Sequence, residues 1–426
     1  MVFLREPGGE APATPSLRRA LARSRRDPAA LRALALRDGY LYARSPDDAL
    51  ALATELHLVD LFDAPAITLQ RGAETHSLVS VKGRERSYRH QGGSRDGHTA
   101  ELIFGDRVTD DPAGLGPPLH RDLRALAEEN SLDRAVPVHV TDDAMVLEVR
   151  TFGERATALA TADGARLELA CFDAAPDVLA RIDAGRSAGA RRREGMIHVS
   201  EAVTAAIDET LRFDRPEGEK TAERDGHLRP FWLGAYLQGQ QAFQHEGTTY
   251  AVYDPKGRPY PPEVCVDLVL DSFERAAGTW YRGRGEPPGR VVGALDFDSF
   301  GIKNRRGVLA FEQFAVSRPD LFESMRLPPH ERVQFGERSR YFKYLVDHAD
   351  DFRPGDVVAI QGQKRDGLIH QHAILIERAD PVTGFPYGLA DQMKKPRRRT
   401  WEGIMAEAPL RSLLYRVRPT DRVLAP

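Results

Sequence analysis

The last quarter of the chain constrains the fold most. Between Pro354 and Pro419 four short runs, PGDVVAIQG, HQHAILIERAD, FPYGLADQM and SLLYRVRP, alternate apolar residues with Gly, Pro or Asp breaks, which is the pattern of antiparallel strands. Upstream, Pro261-Pro262 open the segment EVCVDLVLDSFERAAG, in which Val264, Leu268, Val269 and Phe273 share one helical face before Gly278 ends it. A helix carrying a lone cysteine, beside an antiparallel sheet carrying histidines, is an arrangement suited to nucleophilic catalysis.

The preceding half reads differently. Leu17, Leu21, Leu31 and Leu34 punctuate Arg-rich helical stretches, so residues 1–40 are expected to be a helical extension, and Ser45 before Pro46-Asp47-Asp48 caps a further helix through about His57. The segments AITLQ, SLVSV, SYRHQ and AELIF form one predicted antiparallel sheet; a helix near 118–130 precedes a meander of VPVHV, AMVLEVRT, ATALAT and ARLELACF. The expected organisation is α+β throughout: an accessory domain over 41–190, and a catalytic domain over 197–426 with helices near 198–211 and 228–244. The stretch GRSAGARRREG, residues 185–195, reads as the linker between them.

Composition narrows the function classes. The 426 residues carry 60 basic and 63 acidic side chains, so no global field favours nucleic acid or a membrane surface. Two cysteines, Cys171 and Cys265, are too few for a disulfide scaffold or a four-cysteine zinc site. No apolar run reaches 18 residues, and no leader with an apolar core and a small-residue cleavage site is visible, so a cytoplasmic location is expected. Leaderless export, or a leader already removed, would give the same sequence. There is no P-loop, no G-x-G-x-x-G after a strand and no H-E-x-x-H, and no cofactor is expected.

Cys265 falls in the first turn of its helix, where exposed N–H groups and the positive end of the dipole favour a thiolate and can hold an oxyanion. Cys171, in LELACF, reads as a buried structural residue. Period-two alternation puts His370 and His372 on one strand face, so either could meet a thiol, and Asp391 on the next strand could orient an imidazole. Two other readings remain open: His370, His372 and Asp391 as three zinc ligands, and a non-catalytic binding module. The run Lys394-Lys395-Pro396-Arg397-Arg398-Arg399 reads as a solvated loop, or as a patch for an anionic group.

The residues from about 245 to 418 resemble the papain-like NlpC-type cysteine peptidase and amidase superfamily, and within it a bacterial family of uncharacterised exported proteins. The matching blocks are Tyr253-Asp254-Pro255, Pro262 to Val269 around Cys265, Phe352 to Val358 around Pro354-Gly355-Asp356, His372 to Ile376, and Asp391. The resemblance implies Cys265 as nucleophile, His372 as general base and acid, Asp391 as the residue that orients it, and Tyr253 and Asp267 as substrate-side residues. It implies hydrolysis of a peptide or amide bond, with cell-wall stem peptides the family's common substrate. Asp391 departs from the usual Asn, His or Gln, and Asp356 reads as shaping its turn. The long insertion before the Pro-Gly-Asp strand is expected to form a lid or specificity loop. Residues 1–190 lie outside the resemblance and are expected to shape access to the site or bind a protein partner.

Overall fold

A computed structural model describes residues 118–426 except 141–143, 164–165, 303, 338–339, 342–343, 346–347, 364–368, 380, 382–383, 385 and 400, together with the strand segments 42–43, 66–71, 74–80, 87–90 and 100–103. The expected helices before residue 58 lie outside these. The described chain is a mixture of helix and antiparallel sheet, in agreement with the α+β expectation.

Strands β1 (Tyr42–Ala43), β2 (Ala66–Arg71), β3 (Glu74–Ser80), β4 (Ser87–His90) and β5 (Ala100–Ile103) form one sheet in the order β1-β5-β4-β3-β2. Helix α1 (Pro118–Glu129) covers a meander of β6 (Arg134–Val140), β7 (Ala144–Thr151), β8 (Glu154–Asp163) and β9 (Arg166–Asp173). Leu123, Leu126 and Ala127 of the helix pack on Met145, Leu147, Val149, Ala158 and Ala160. Cys171 is exposed, contrary to the expectation for it: β9 is the edge strand of this sheet, and its register slips against β8 at Leu159/Ala160, opposite Cys171.

The predicted linker is the middle of a helix. α2 runs unbroken over Pro176–Glu209, 34 residues, because the glycines of 185–195 are contact points instead of hinges. A Cβ on Gly185 would lie 2.6 Å from Thr151 Oγ1, one on Gly189 3.1 Å from the Ser131 carbonyl, and one on Gly195 would overlap the carbonyl of Leu424. The arginines between them clamp the neighbours, Arg186 Nε donating to the Asn130 carbonyl (2.8 Å) and Arg192 Nε to Asp421 (2.6 Å). Glycine here lets elements approach closely at a modest propensity cost, about 1 kcal/mol each.

Helix α3 (Leu228–Leu237) ends earlier than expected, since Gly239 takes the left-handed φ of 70° and the chain turns into the hairpin β10 (Ala242–His245) and β11 (Thr248–Ala251). After α4 (Cys265–Ala276) come the two-residue strands β12 (Trp280–Tyr281) and β13 (Arg290–Val291), and α5 (Val308–Ser317). The main sheet follows: β14 (Phe322–Arg326), β15 (Val357–Gln363), β16 (Ile369–Ala379), β17 (Pro386–Gln392), β18 (Pro396–Arg399) and β19 (Arg411–Pro419), with α6 (Trp401–Glu407) before β19 and α7 (Asp421–Leu424) after it. All six strands are antiparallel in the order β14-β19-β15-β16-β17-β18.

Alternation gives this sheet two cores. Val357, Ala359, Ala373 and Leu375 meet Val266, Val269, Leu270 and Phe273 of α4, with Val199 and Val203 of α2. Val358, Ile360, Ile374 and Ile376 meet Trp401, Ile404 and Met405 of α6, with Phe335, Tyr341 and Phe352. The Cys265 helix is thus fixed against the strands that carry the histidines.

Candidate active site

Cys265 is the first residue of α4, following Val264 in extended conformation. The Val264 side chain cannot accept a hydrogen bond, so the start is fixed from the other side: Asp267 Oδ2 accepts the Val264 N–H at 2.9 Å. Asp267 is fully buried, with Arg306 Nε at 2.8 Å and Arg229 at 3.6 Å. This corrects its expected role. Asp267 holds the helix terminus and has no surface to offer a substrate.

The same helix stripe continues through Asp271 and Glu274, spaced for one face. Arg229 meets Asp271 at 2.8 Å, Arg305 bridges Asp271 and Glu274 at 2.7 and 2.8 Å, and Arg290 meets Glu274 at 3.0 Å. Arg306 also pairs with the buried Asp214. Arg290, Arg305 and Arg306 all belong to the insertion expected to act as a lid, so this part of it is pinned beneath the Cys265 helix. Burial, and the charge of Asp271, push the carboxyl of Glu263 well above the ordinary range.

His372 lies on β16 opposite Ile360, and Asp391 on β17 opposite Arg397. His372 Nε2 is 3.1 Å from Asp391 Oδ2, and the Cys265 side chain is near enough to the ring to act on its protonation. With Nε2 facing the carboxylate, Nδ1 is the nitrogen left for the sulfur. His372 and Asp391 are 3% and 2% exposed, whereas Cys265 keeps 9% of its surface open. Burial alone would strip the proton from this imidazole. The electrostatic interaction with Cys265 and the bond to Asp391 outweigh burial and raise its pKa to about 9. Burial opposes ionisation of Asp391 as well, but the His372 and Arg397 bonds bring it below the usual carboxylate range.

The basic run after Asp391 divides: Lys394 and Lys395 are exposed in the bend between β17 and β18, as a solvated loop would be, whereas the arginines are not free. Its arginines form strand β18, where Arg397 Nε donates to Asp391 Oδ1 at 2.9 Å and Arg399 stands 3.7 Å from Oδ2. Both also pair with Glu407, at 3.1 and 3.0 Å, while Arg398 pairs with Glu377 at 3.0 Å. Sequence reasoning missed Arg397 as the residue that fixes Asp391; its signal was the position directly across a short hairpin.

Cys265, His372 and Asp391 are therefore brought together, and the other expected site residues are not. Tyr253 is 7% exposed, its ring 5.9 Å from that of Tyr236 in an aromatic cluster with Trp232, and it makes no hydrogen bond to the three. His370 is half-buried with its ring centroid 6.5 Å from that of His372. No three His, Cys, Asp or Glu side chains among the described residues are grouped to hold a metal ion, so His370, His372 and Asp391 do not form a ligand set. Asp356 is buried, accepts from the Arg353 N–H at 2.8 Å and binds Arg418 through both oxygens, which agrees with a turn-shaping role.

A cavity of about 690 Å³ lies elsewhere, among β6, β7, α2 and the far end of β16, lined by Arg134, Arg192, Met196, Phe352 and Glu377. It touches none of the three residues. No family model, curated protein or solved structure matches the chain. Among the described residues no helix is long and apolar enough to cross a membrane.

Proposed function

We propose that the protein is a papain-like cysteine hydrolase that cleaves a peptide or amide bond through an acyl-enzyme on Cys265. The observation that carries this reading is His372, buried beside Cys265 with its Nε2 3.1 Å from Asp391, and with its pKa pushed up to about 9 by those two neighbours. A buried imidazole set between a thiol and a carboxylate is the arrangement that keeps a sulfur nucleophilic near neutrality.

In the first half-reaction the Cys265 sulfur attacks the carbonyl carbon and His372 gives its proton to the leaving amine. In the second, neutral His372 takes a proton from water, hydroxide displaces sulfur, and the proton returns to the thiolate–imidazole pair. Asp391, locked by Arg397, keeps Nε2–H directed away from the sulfur so that Nδ1 does the transfer. Cys265 is the first helical residue, so its own N–H has no acceptor within the helix and can donate to the oxyanion. Asp267 maintains that terminus. Among the described residues of 118–173, no side chain hydrogen-bonds any of the three.

An activated ester tests the reading. A p-nitrophenyl ester should give a burst of p-nitrophenol equal to the enzyme concentration and an acyl adduct on Cys265, both lost in Cys265→Ala. A burst that survives Cys265→Ala ends it.

A further inference from the structure

Arg411, the first residue of β19, stands opposite Gly362 of β15, and Gly362 stands opposite His370 of β16. Two residues further along, the same three strands align Leu413, Ile360 and His372. Strands are about 4.8 Å apart, so Arg411 belongs to the end of the sheet where His370 and His372 lie, with a residue lacking a side chain between it and His370. The glycine is required there. A Cβ on Gly362 would overlap the Leu410 carbonyl and come within 2.7 Å of Arg411 Cα and 2.9 Å of its Cγ.

The guanidinium itself is half-buried and, among the described residues, has no ion pair or side-chain hydrogen bond. Its acidic neighbours are already engaged: Glu407 with Arg397 and Arg399, Asp391 with His372 and Arg397. Burial lowers its proton affinity, and the interaction with Cys265 is the strongest of those that oppose this, ahead of Glu407 and Asp391. An arginine kept partly out of water without a partner is held ready for an anion, and its planar fork matches a carboxylate.

We infer that Arg411 selects the substrate, pairing with a carboxylate carried close to the carbonyl that Cys265 attacks. This rests on the hydrolase reading and narrows it to peptides or amides acidic beside the scissile bond. His370, across Gly362, borders the same space.

The test uses two reagents of nearly equal shape, iodoacetate and iodoacetamide, each transferring its two-carbon group to sulfur with loss of iodide. Alkylation of Cys265 is followed by intact mass in the full chain carrying Cys171→Ser, which removes the exposed second thiol. The ratio of the iodoacetate to the iodoacetamide rate should fall on the order of ten-fold in Arg411→Met and Arg411→Gln, and less in Arg411→Lys, as expected when a charge-assisted pair is lost. Because each variant is compared with itself, a packing defect cancels. Labelling by both reagents with an unchanged ratio overturns the inference and leaves the hydrolase reading standing. Labelling by neither overturns both.

Discussion

Asp391→Asn is a sharper perturbation than its size suggests. The Asp accepts two bonds at once, from His372 Nε2 at 3.1 Å and from Arg397 Nε at 2.9 Å. An amide has one accepting oxygen and one donating nitrogen. If its oxygen faces Arg397, its NH2 faces His372 and forces the ring proton onto Nδ1, the nitrogen that must receive the thiol proton. If its oxygen faces His372, its NH2 confronts the Arg397 guanidinium. The resemblance implies that Asn should hurt less than Cys265→Ala or His372→Ala, since an amide orients imidazole in papain-like enzymes; Arg397 removes that leniency. A charge-assisted bond of about 1.5–3 kcal/mol is lost, and the wrong tautomer removes acid–base work worth about 10² to 10⁴ in rate. The assay is the rate of Cys265 alkylation by iodoacetamide at neutral pH. Arg397→Gln in the same chain offers the amide nitrogen an acceptor and frees its oxygen for His372, so the double variant should recover at least about ten-fold, a coupling within the 0.5–3 kcal/mol usual for contacting residues. A single variant as reactive as the parent, or a double variant no better than the single, would refute the reasoning.

Three further outcomes follow from the same contacts. In Cys265→Ala the neighbour most responsible for raising His372 is gone, so burial prevails and the imidazole, titrated by NMR, should protonate at lower pH than in the parent; no change would mean that the sulfur does not sit beside the ring. Because His372 has a higher pKa folded than unfolded, its contribution to stability is complete below about pH 6.5 and disappears as pH rises through about 9, so the unfolding free energy from urea titrations should fall across that window by up to roughly 3 kcal/mol, at about 1.4 kcal/mol for each ten-fold change in proton affinity, and Cys265→Ala should flatten the fall. Gly195→Ala puts a methyl group into the carbonyl of Leu424 and should lower thermal stability, although alanine is the better helix former, whereas Gly234→Ala, with open space at its Cβ, should not.

What could be read in the chain was what depends on local pattern. The meander from Arg134 to Asp173, the helix opened after Pro261-Pro262 and the strands bearing His372 and Asp391 follow from alternation and turn residues, and their placement in two sheets and one packed helix matches the expectation. What could not be read depends on who faces whom. Gly185, Gly189 and Gly195 looked like a linker because composition does not distinguish a glycine that bends from one that admits a neighbour. Arg397 and Arg399 looked like a solvated run because their acceptor, Asp391, is defined only by hairpin register. Asp267 looked like a site residue because it lies near Cys265 in sequence, yet its carboxylate points into the arginine belt beneath the helix. Arg411 carried no signal, since its nearness to the thiol is set by strand order across three separate segments.

The most direct test of the account is the rate at which one equivalent of iodoacetamide labels Cys265 near pH 7 in the parent and in His372→Ala, with Cys171→Ser in both. On the proposed reading the buried His372 bonded to Asp391 activates this sulfur, so the rate should fall by at least about 10² in His372→Ala while the fold, followed by circular dichroism, is kept. Equal rates in the two folded proteins would contradict the central claim.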